Sequence, residues 1–214
     1  MRIDRKSMRL YAVTDRGWLK GETLYEQVEK AIKGGVTFVQ LREKELDKRA
    51  FLSEARQIKA LCRKYHVPFV INDSVEIALA TDADGVHVGQ EDMEAKHVRE
   101  KLGADKIMGV TAKTVEQAIR AQECGADYLG VGAVFPSPTK KNAIGITHEQ
   151  LREICAAITI PVVAIGGITS QNIMQLNNTG IEGVAVISGI FAQDDITAAA
   201  AELRNQAEGI VDGR

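Results

Sequence analysis

Side chains able to carry charge or hold a cation recur in this sequence directly after short apolar runs. "FVQLREK" places Gln40, Arg42 and Lys44 at every second position, and "VIND" ends in Asn72 and Asp73. "HVGQED" brings Gln90, Glu91 and Asp92, "GVTAKT" ends with Thr111 and Lys113, and "VFPSPTKKNAIG" carries Ser137, Thr139 and Lys140. If the apolar runs are strands, a period of two sets Gln40, Arg42 and Lys44 on one side and Val39 and Leu41 on the other. Asp73 and Asp92 supply the oxygen donors that Mg²⁺ takes, an ion usually held by one or two carboxylates together with substrate phosphates. Either aspartate would equally serve as the cap of a following helix, since "NDSVE" and "QEDME" are both acceptable helix starts.

Two further segments, "AIGGITSQN" and "VISGIF", offer small residues and backbone N–H groups. Gly166 and Gly167 permit an anion to approach the chain closely, or else simply form a tight turn before a helix capped by Thr169 or Ser170. Taken together these residues describe a mouth with two anion pockets. Arg42, Lys44, Lys140 and a carboxylate-held metal line one, and a backbone nest forms the other. The first suits a diphosphate leaving group whose developing charge is neutralised, and the second a phosphate borne by the nucleophile. No nucleophile with a paired base is evident. His66, His97 and His148 lie in helical or connecting segments and read as surface residues, whereas His87 lies inside an apolar run and reads as a hydrogen-bonded core histidine or a catalytic one.

These residues converge only if the chain folds so that the ends of its apolar runs meet. Eight such runs occur, "LYAVT", "FVQLR", "PFVIN", "GVHVG", "IMGVT", "YLGVG", "PVVAIGG" and "GVAVIS", each followed by a stretch with helical spacing. The eight helical stretches include "LYEQVEKAIKGG", "SVEIALATDA", "SQNIMQLNNTGI" and "DITAAAAELRNQA". Several end in glycine at Gly34, Gly103, Gly125 and Gly180, as left-handed helix termini do. Eight continuous apolar strands alternating with helices predict an α/β fold, a single-domain (βα)8 TIM barrel over about residues 9–207 with short tails. An open doubly wound sheet is the alternative, but the turn after the first strand holds Asp15 and Arg16 and no glycine-rich fingerprint. In a barrel the polar residues just described would all stand on the rim at the carboxyl ends of the strands, where barrel active sites lie.

The 214 residues carry a formal net charge of -2 and no long basic block, which argues against a nucleic-acid surface. No apolar run approaches the ~18 residues of a membrane span, and the basic start has no apolar stretch of about 7 to 15 residues behind it. A soluble cytoplasmic protein with no membrane partner is expected. Cys62, Cys124 and Cys155 are odd in number and far apart, so they read as reduced packing thiols. The sequence does not decide whether the chain forms a homo-oligomer.

The motifs "YAVTD", "VQLREK", "IND", "ADGVHVGQED", "ADYLGVGAVFPSPTKKNA", "VVAIGGI" and "GVAVIS", in this order along the chain, together resemble the thiamin-phosphate synthase family. The resemblance implies a Mg²⁺-dependent transferase that joins a hydroxymethylpyrimidine diphosphate to a thiazole phosphate, with loss of carbon dioxide when the thiazole is carboxylated. It implies pyrimidine diphosphate contacts from Gln40, Arg42, Lys44, Asn72, Thr111 and Lys140, with Arg42, Lys44, Thr111 and Lys140 as catalytic residues. It further implies Mg²⁺ on Asp73 and Asp92, and thiazole phosphate contacts from Ser137, Thr139, Gly167, Ile187 and Ser188. Such enzymes react dissociatively, through a pyrimidine methyl cation. The chain departs from the family at Ser74, commonly Arg, and at Lys113, commonly His. Two other readings stand beside this one: a thiazole tautomerase of similar fold, and a non-catalytic barrel that binds a thiamin precursor.

Overall fold

The computed structural model describes residues 3–89, 95–136 and 145–213. Within them eight strands pair in parallel in sequence order and close into a barrel. They are β1 (Leu10–Val13), β2 (Phe38–Leu41), β3 (Phe69–Asn72), β4 (Gly85–Val88), β5 (Ile107–Ala112), β6 (Tyr128–Gly132), β7 (Val162–Ile165) and β8 (Gly183–Val186). The ring is completed by Leu10 opposite Val184 and Ala12 opposite Val186. Around it lie α1 (Leu24–Lys33), α2 (Lys48–Lys64), α3 (Val75–Ala80), α4 (Ala95–Leu102), α5 (Val115–Glu123), α6 (His148–Ala157), a short α7 (Ser188–Phe191) and α8 (Ile196–Asp212). The predicted (βα)8 barrel is therefore the observed fold, and each of the eight apolar runs falls on one strand.

Helix starts are set by hydroxyl and carboxylate caps that take the otherwise unpaired first-turn N–H groups. Thr23 with Glu26 and Thr147 with Gln150 form reciprocal capping boxes at α1 and α6. Strand alternation then divides the apolar residues between two layers. On β2, Val39 and Leu41 join Val28, Ile58 and Leu61 in the layer between strands and helices. Phe38 turns inward with Tyr11, Val70, Ile107, Tyr128 and Val163 to fill the barrel. Two inward glycines make room for rings: a Cβ at Gly109 would stand 2.1 Å from Tyr128 Cζ, and one at Gly130 would stand 3.1 Å from His87 Cε1.

The structure corrects three expectations. After β7 there is no α-helix but a single 3-10 turn, Ile173–Leu176, followed by Asn178 at φ 60 and Gly180 at φ 90. Asparagine and glycine here favour left-handed backbone over helix continuation. At the end of α1 the left-handed residue is Gly35 (φ 106), while Gly34 keeps φ -78; Gly103, Gly125 and Gly180 are left-handed as predicted. The C-terminal segment expected as a tail belongs to α8, which continues to Asp212 and buries Ile210 and Val211.

Candidate functional site

β1, β2 and β3 are adjacent, so the segments leaving them meet at one sector of the rim. Thr14, fully buried after β1, accepts the backbone N–H of Arg42 at 3.0 Å, and its own N–H donates to the Gln40 carbonyl at 3.0 Å. The Arg42 guanidinium lies 3.5 Å from the Asp15 carboxylate, and Lys44 Nζ donates to Asp73 Oδ2 at 2.7 Å. Asp73 itself stands at φ 62, an uncommon setting for a non-glycine residue, with its N–H on the His87 carbonyl at 2.8 Å. It does not cap α3. Ser74 does, its hydroxyl accepting the Ile77 N–H at 3.2 Å, so the residue that departs from the family pattern has a structural duty.

Glu43, between Arg42 and Lys44, is the residue the sequence reading missed. Its side chain is 2% exposed. Oε1 accepts the backbone N–H groups of Lys44 at 2.8 Å, Glu45 at 2.7 Å and Leu46 at 3.3 Å, while Oε2 takes Arg16 Nε at 2.9 Å. Arg16 reaches on to Glu54 of α2 at 2.6 Å. Burial alone would raise the Glu43 pKa, but the backbone N–H groups and Arg16 outweigh it and hold the carboxyl below its ordinary value. Glu54 goes the other way, raised chiefly by burial against the pull of Arg16. A carboxylate followed immediately by a polar turn was the available signal.

Further round the barrel, Gln40 is 4% exposed and its Nε2 donates to the Tyr11 hydroxyl. Asn72 is partly buried at the end of β3, opposite His87 of β4. His87 is the hydrogen-bonded core histidine, with Nδ1 3.0 Å from the Tyr128 hydroxyl and Nε2 3.0 Å from Thr111 Oγ1. Lys113 follows Thr111 and donates its backbone N–H to Gln117 at 2.8 Å.

Gly166 (φ 103) and Gly167 (φ 67) form the turn after β7. A Cβ at Gly166 would meet the Ala133 Cβ at 2.5 Å, and one at Gly167 the Pro136 carbonyl at 2.3 Å. Close approach to these glycines is thus made by the chain leaving β6. Gly167 also shares a small cleft with Ile168, Ile187 and Ser188 at the ends of β7 and β8. The proposed ligands and contacts Asp92, Ser137, Thr139 and Lys140, with Gln90 and Glu91, lie outside the described residues. The structure thus brings together Gln40, Arg42, Lys44, Asn72, Asp73 and Thr111 along β2 to β5, with Gly167, Ile187 and Ser188 at β7 and β8. Among the described residues no group of three or more His, Cys, Asp and Glu side chains could hold a metal. Of the two carboxylates expected to hold Mg²⁺, Asp73 alone lies among the described residues, and its Oδ2 is paired with Lys44.

Fold and rim define a (βα)8 barrel, a class whose active sites lie at the carboxyl ends of the strands. A family model described as thiamine monophosphate synthase matches residues 10–190. The chain is 51% identical over 194 residues to the thiamine-phosphate synthase of Clostridium tetani, covering 91% of this chain and 93% of that protein. It is 52% identical to that of Ruminiclostridium cellulolyticum, covering 91% and 92%. Among solved structures it resembles the thiamine phosphate pyrophosphorylase of Pyrococcus furiosus, at 39% identity, a TM-score of 0.89, and coverage of 97% and 98%. The chain belongs to the thiamine-phosphate synthase family and is a transferase of thiamine biosynthesis. No helix among the described residues is long and apolar enough to cross a membrane.

Proposed function

We propose that the enzyme joins hydroxymethylpyrimidine diphosphate to a thiazole phosphate, giving thiamin phosphate and diphosphate, with carbon dioxide released from a carboxylated thiazole. The observation that carries this reading is the pairing of two rim cations with two rim carboxylates, Arg42 with Asp15 and Lys44 with Asp73. Such pairs are at hand to exchange partners when a polyanion and a divalent cation arrive together. Lys44 and Arg42, with Lys140, neutralise the diphosphate as its bond to carbon lengthens; Gln40, Asn72 and Thr111 orient the pyrimidine end. Asp73 and Asp92 would hold Mg²⁺, which when bound supplies further neutralisation of the leaving diphosphate. Ser137, Thr139, Gly167, Ile187 and Ser188 would meet the thiazole phosphate. The ring nitrogen of the thiazole attacks the pyrimidine methyl cation, so the protein contributes charge and position more than acid or base. Both substrates are water-soluble phosphates, in keeping with a cytoplasmic enzyme.

The test mixes both substrates with Mg²⁺ and follows thiamin phosphate. Folded protein that gives no product above a no-enzyme control overturns the reading. Proton exchange on the thiazole without binding of the pyrimidine diphosphate would point to the tautomerase, and tight product binding without turnover to a binding protein.

A further inference from the structure

At the end of the barrel away from the rim, a recess of about 590 Å³ lies at the starts of β3, β4 and β5. Lys59 and Arg63, one turn apart on α2, line it together with His66 just beyond that helix and Lys106 at the foot of β5. The four residues of β3, about 13 Å of strand, separate it from Asp73.

Two carboxylates also line the recess, and both are engaged. Asp82 accepts Lys59 Nζ at 2.9 Å and also Lys106 Nζ, while Asp84 Oδ2 accepts the Phe69 N–H at 2.8 Å. The two ammonium groups further hold the carbonyls of Thr81 at 3.0 Å and Ala83 at 2.8 Å. An ammonium has three donors, so each lysine keeps one N–H beyond these bonds. Among the described residues the Arg63 guanidinium and the His66 ring have no hydrogen-bond or ion-pair partner. The recess therefore offers N–H groups in excess, with Lys59, Arg63 and Lys106 set against Asp82 and Asp84 alone.

The dipole of α2 accounts for cations in its last turn, and fastening of the turn between α3 and β4 accounts for the two lysines. Neither accounts for His66, which stands at φ 57, a conformation that L side chains disfavour. After α1, α4 and α5 the chain uses Gly35, Gly103 and Gly125 in that conformation. After α2 it sets an imidazole there instead, at the edge of the recess.

We propose that this recess is a second anion site, which binds the phosphate group of a small phosphorylated molecule. Arg63 and the remaining N–H groups of Lys59 and Lys106 take the phosphate oxygens, and His66 adds a ring N–H. A planar guanidinium meets two phosphate oxygens at once and leaves a third for the lysines. The volume exceeds what a bare ion fills and falls in the range of small-molecule sites, so the carbon portion lies on the half-buried Val67 and Pro68. The site does not rest on the substrates proposed above.

The test follows the backbone amides of His66, Asp84 and Lys106 in proton–nitrogen NMR spectra of the whole protein. Phenyl phosphate, inorganic phosphate and, at matched ionic strength, sodium chloride are added separately. Phenyl phosphate should shift the three amides saturably, with half-saturation at about 1 mM or below, and chloride should not. Arg63→Ala, at an exposed side chain without a partner, should weaken binding about tenfold, the loss of about one charge-assisted hydrogen bond. His66→Gly should weaken it about threefold without lowering the melting temperature, since glycine accepts this conformation. Amides of Lys44 and Asp73 in the same spectra report phosphate at the rim separately. Shifts that stay linear, shifts reproduced by chloride, or titrations of both variants that match the parent would overturn the site. Inorganic phosphate binding as tightly as phenyl phosphate would overturn the contact with Val67 and Pro68.

Discussion

Replacing Glu43 tests whether the loop that carries Arg42 and Lys44 is held by a single buried carboxylate. Glu43→Gln keeps the shape, but one of its two positions must then turn an NH₂ group toward existing donors, either Arg16 or the three backbone N–H groups. At least one charge-assisted bond is lost, about 2 kcal/mol. Glu43→Ala loses all four acceptor contacts and leaves Arg16 with Glu54 alone, about 3–4 kcal/mol, less than four separate bonds because water reaches the freed N–H groups. With a urea m-value of about 2 kcal/mol/M, the midpoint should fall by about 1 M for Glu43→Gln and 1.5–2 M for Glu43→Ala. Glu45→Ala, at an exposed neighbour, should leave it unchanged. Because the folded pKa of Glu43 is lowered, its contribution is present above the ordinary carboxylate pKa and is lost as pH falls through the folded value. Glu43→Gln should therefore flatten the acid side of the stability curve. In the synthase assay both variants should raise KM for the pyrimidine diphosphate more than for the thiazole phosphate. Midpoints within 0.2 M of the parent, a threshold of about 0.4 kcal/mol, would refute the staple.

Asp73→Ala should abolish turnover at limiting Mg²⁺, and undiminished activity there would remove Asp73 from the proposed metal site. Gly109→Ala sets a Cβ 2.1 Å from a fully buried ring and should cost about 3 kcal/mol or more, whereas Gly130→Ala, 3.1 Å from His87, should cost about 1 kcal/mol; equal melting temperatures would contradict the packing. Burial, with Asp84 nearby, pushes the Cys62 thiol up to about 12, so at pH 8 peptide mapping should find it unlabelled by a maleimide until the protein is unfolded. Asp82 is held down to about 2 by Lys106 and Lys59, so its contribution is complete above about pH 4 and is lost as pH falls toward 2. Asp82→Asn should lose less melting temperature than the parent across that window, and parallel curves would count against the pairing.

The fold was legible because strands covered on both faces read as unbroken apolar runs, and "PFVIN" or "GVAVIS" admits little else. The rim was legible for a related reason: parallel strands all end on the same side, so Gln40, Arg42, Lys44, Asn72, Asp73 and Thr111 could be grouped before any geometry was known. What escaped depends on how the folded chain turns groups toward one another. Glu43 looks like one more loop charge until the turn after β2 aims three N–H groups at it. Ser74 looks like a missing cation until it is seen to cap α3. Gly109 and Gly130 read as weak points in strands, yet each is the space a ring from another strand occupies. Tyr11, His87 and Tyr128 come from β1, β4 and β6, and their side chains meet across separations of 117 and 41 residues. Sequence spacing identifies which groups can donate or accept at the rim. Which partner each group meets is decided by the fold, as when the turn after β2 brings three N–H groups to one carboxylate.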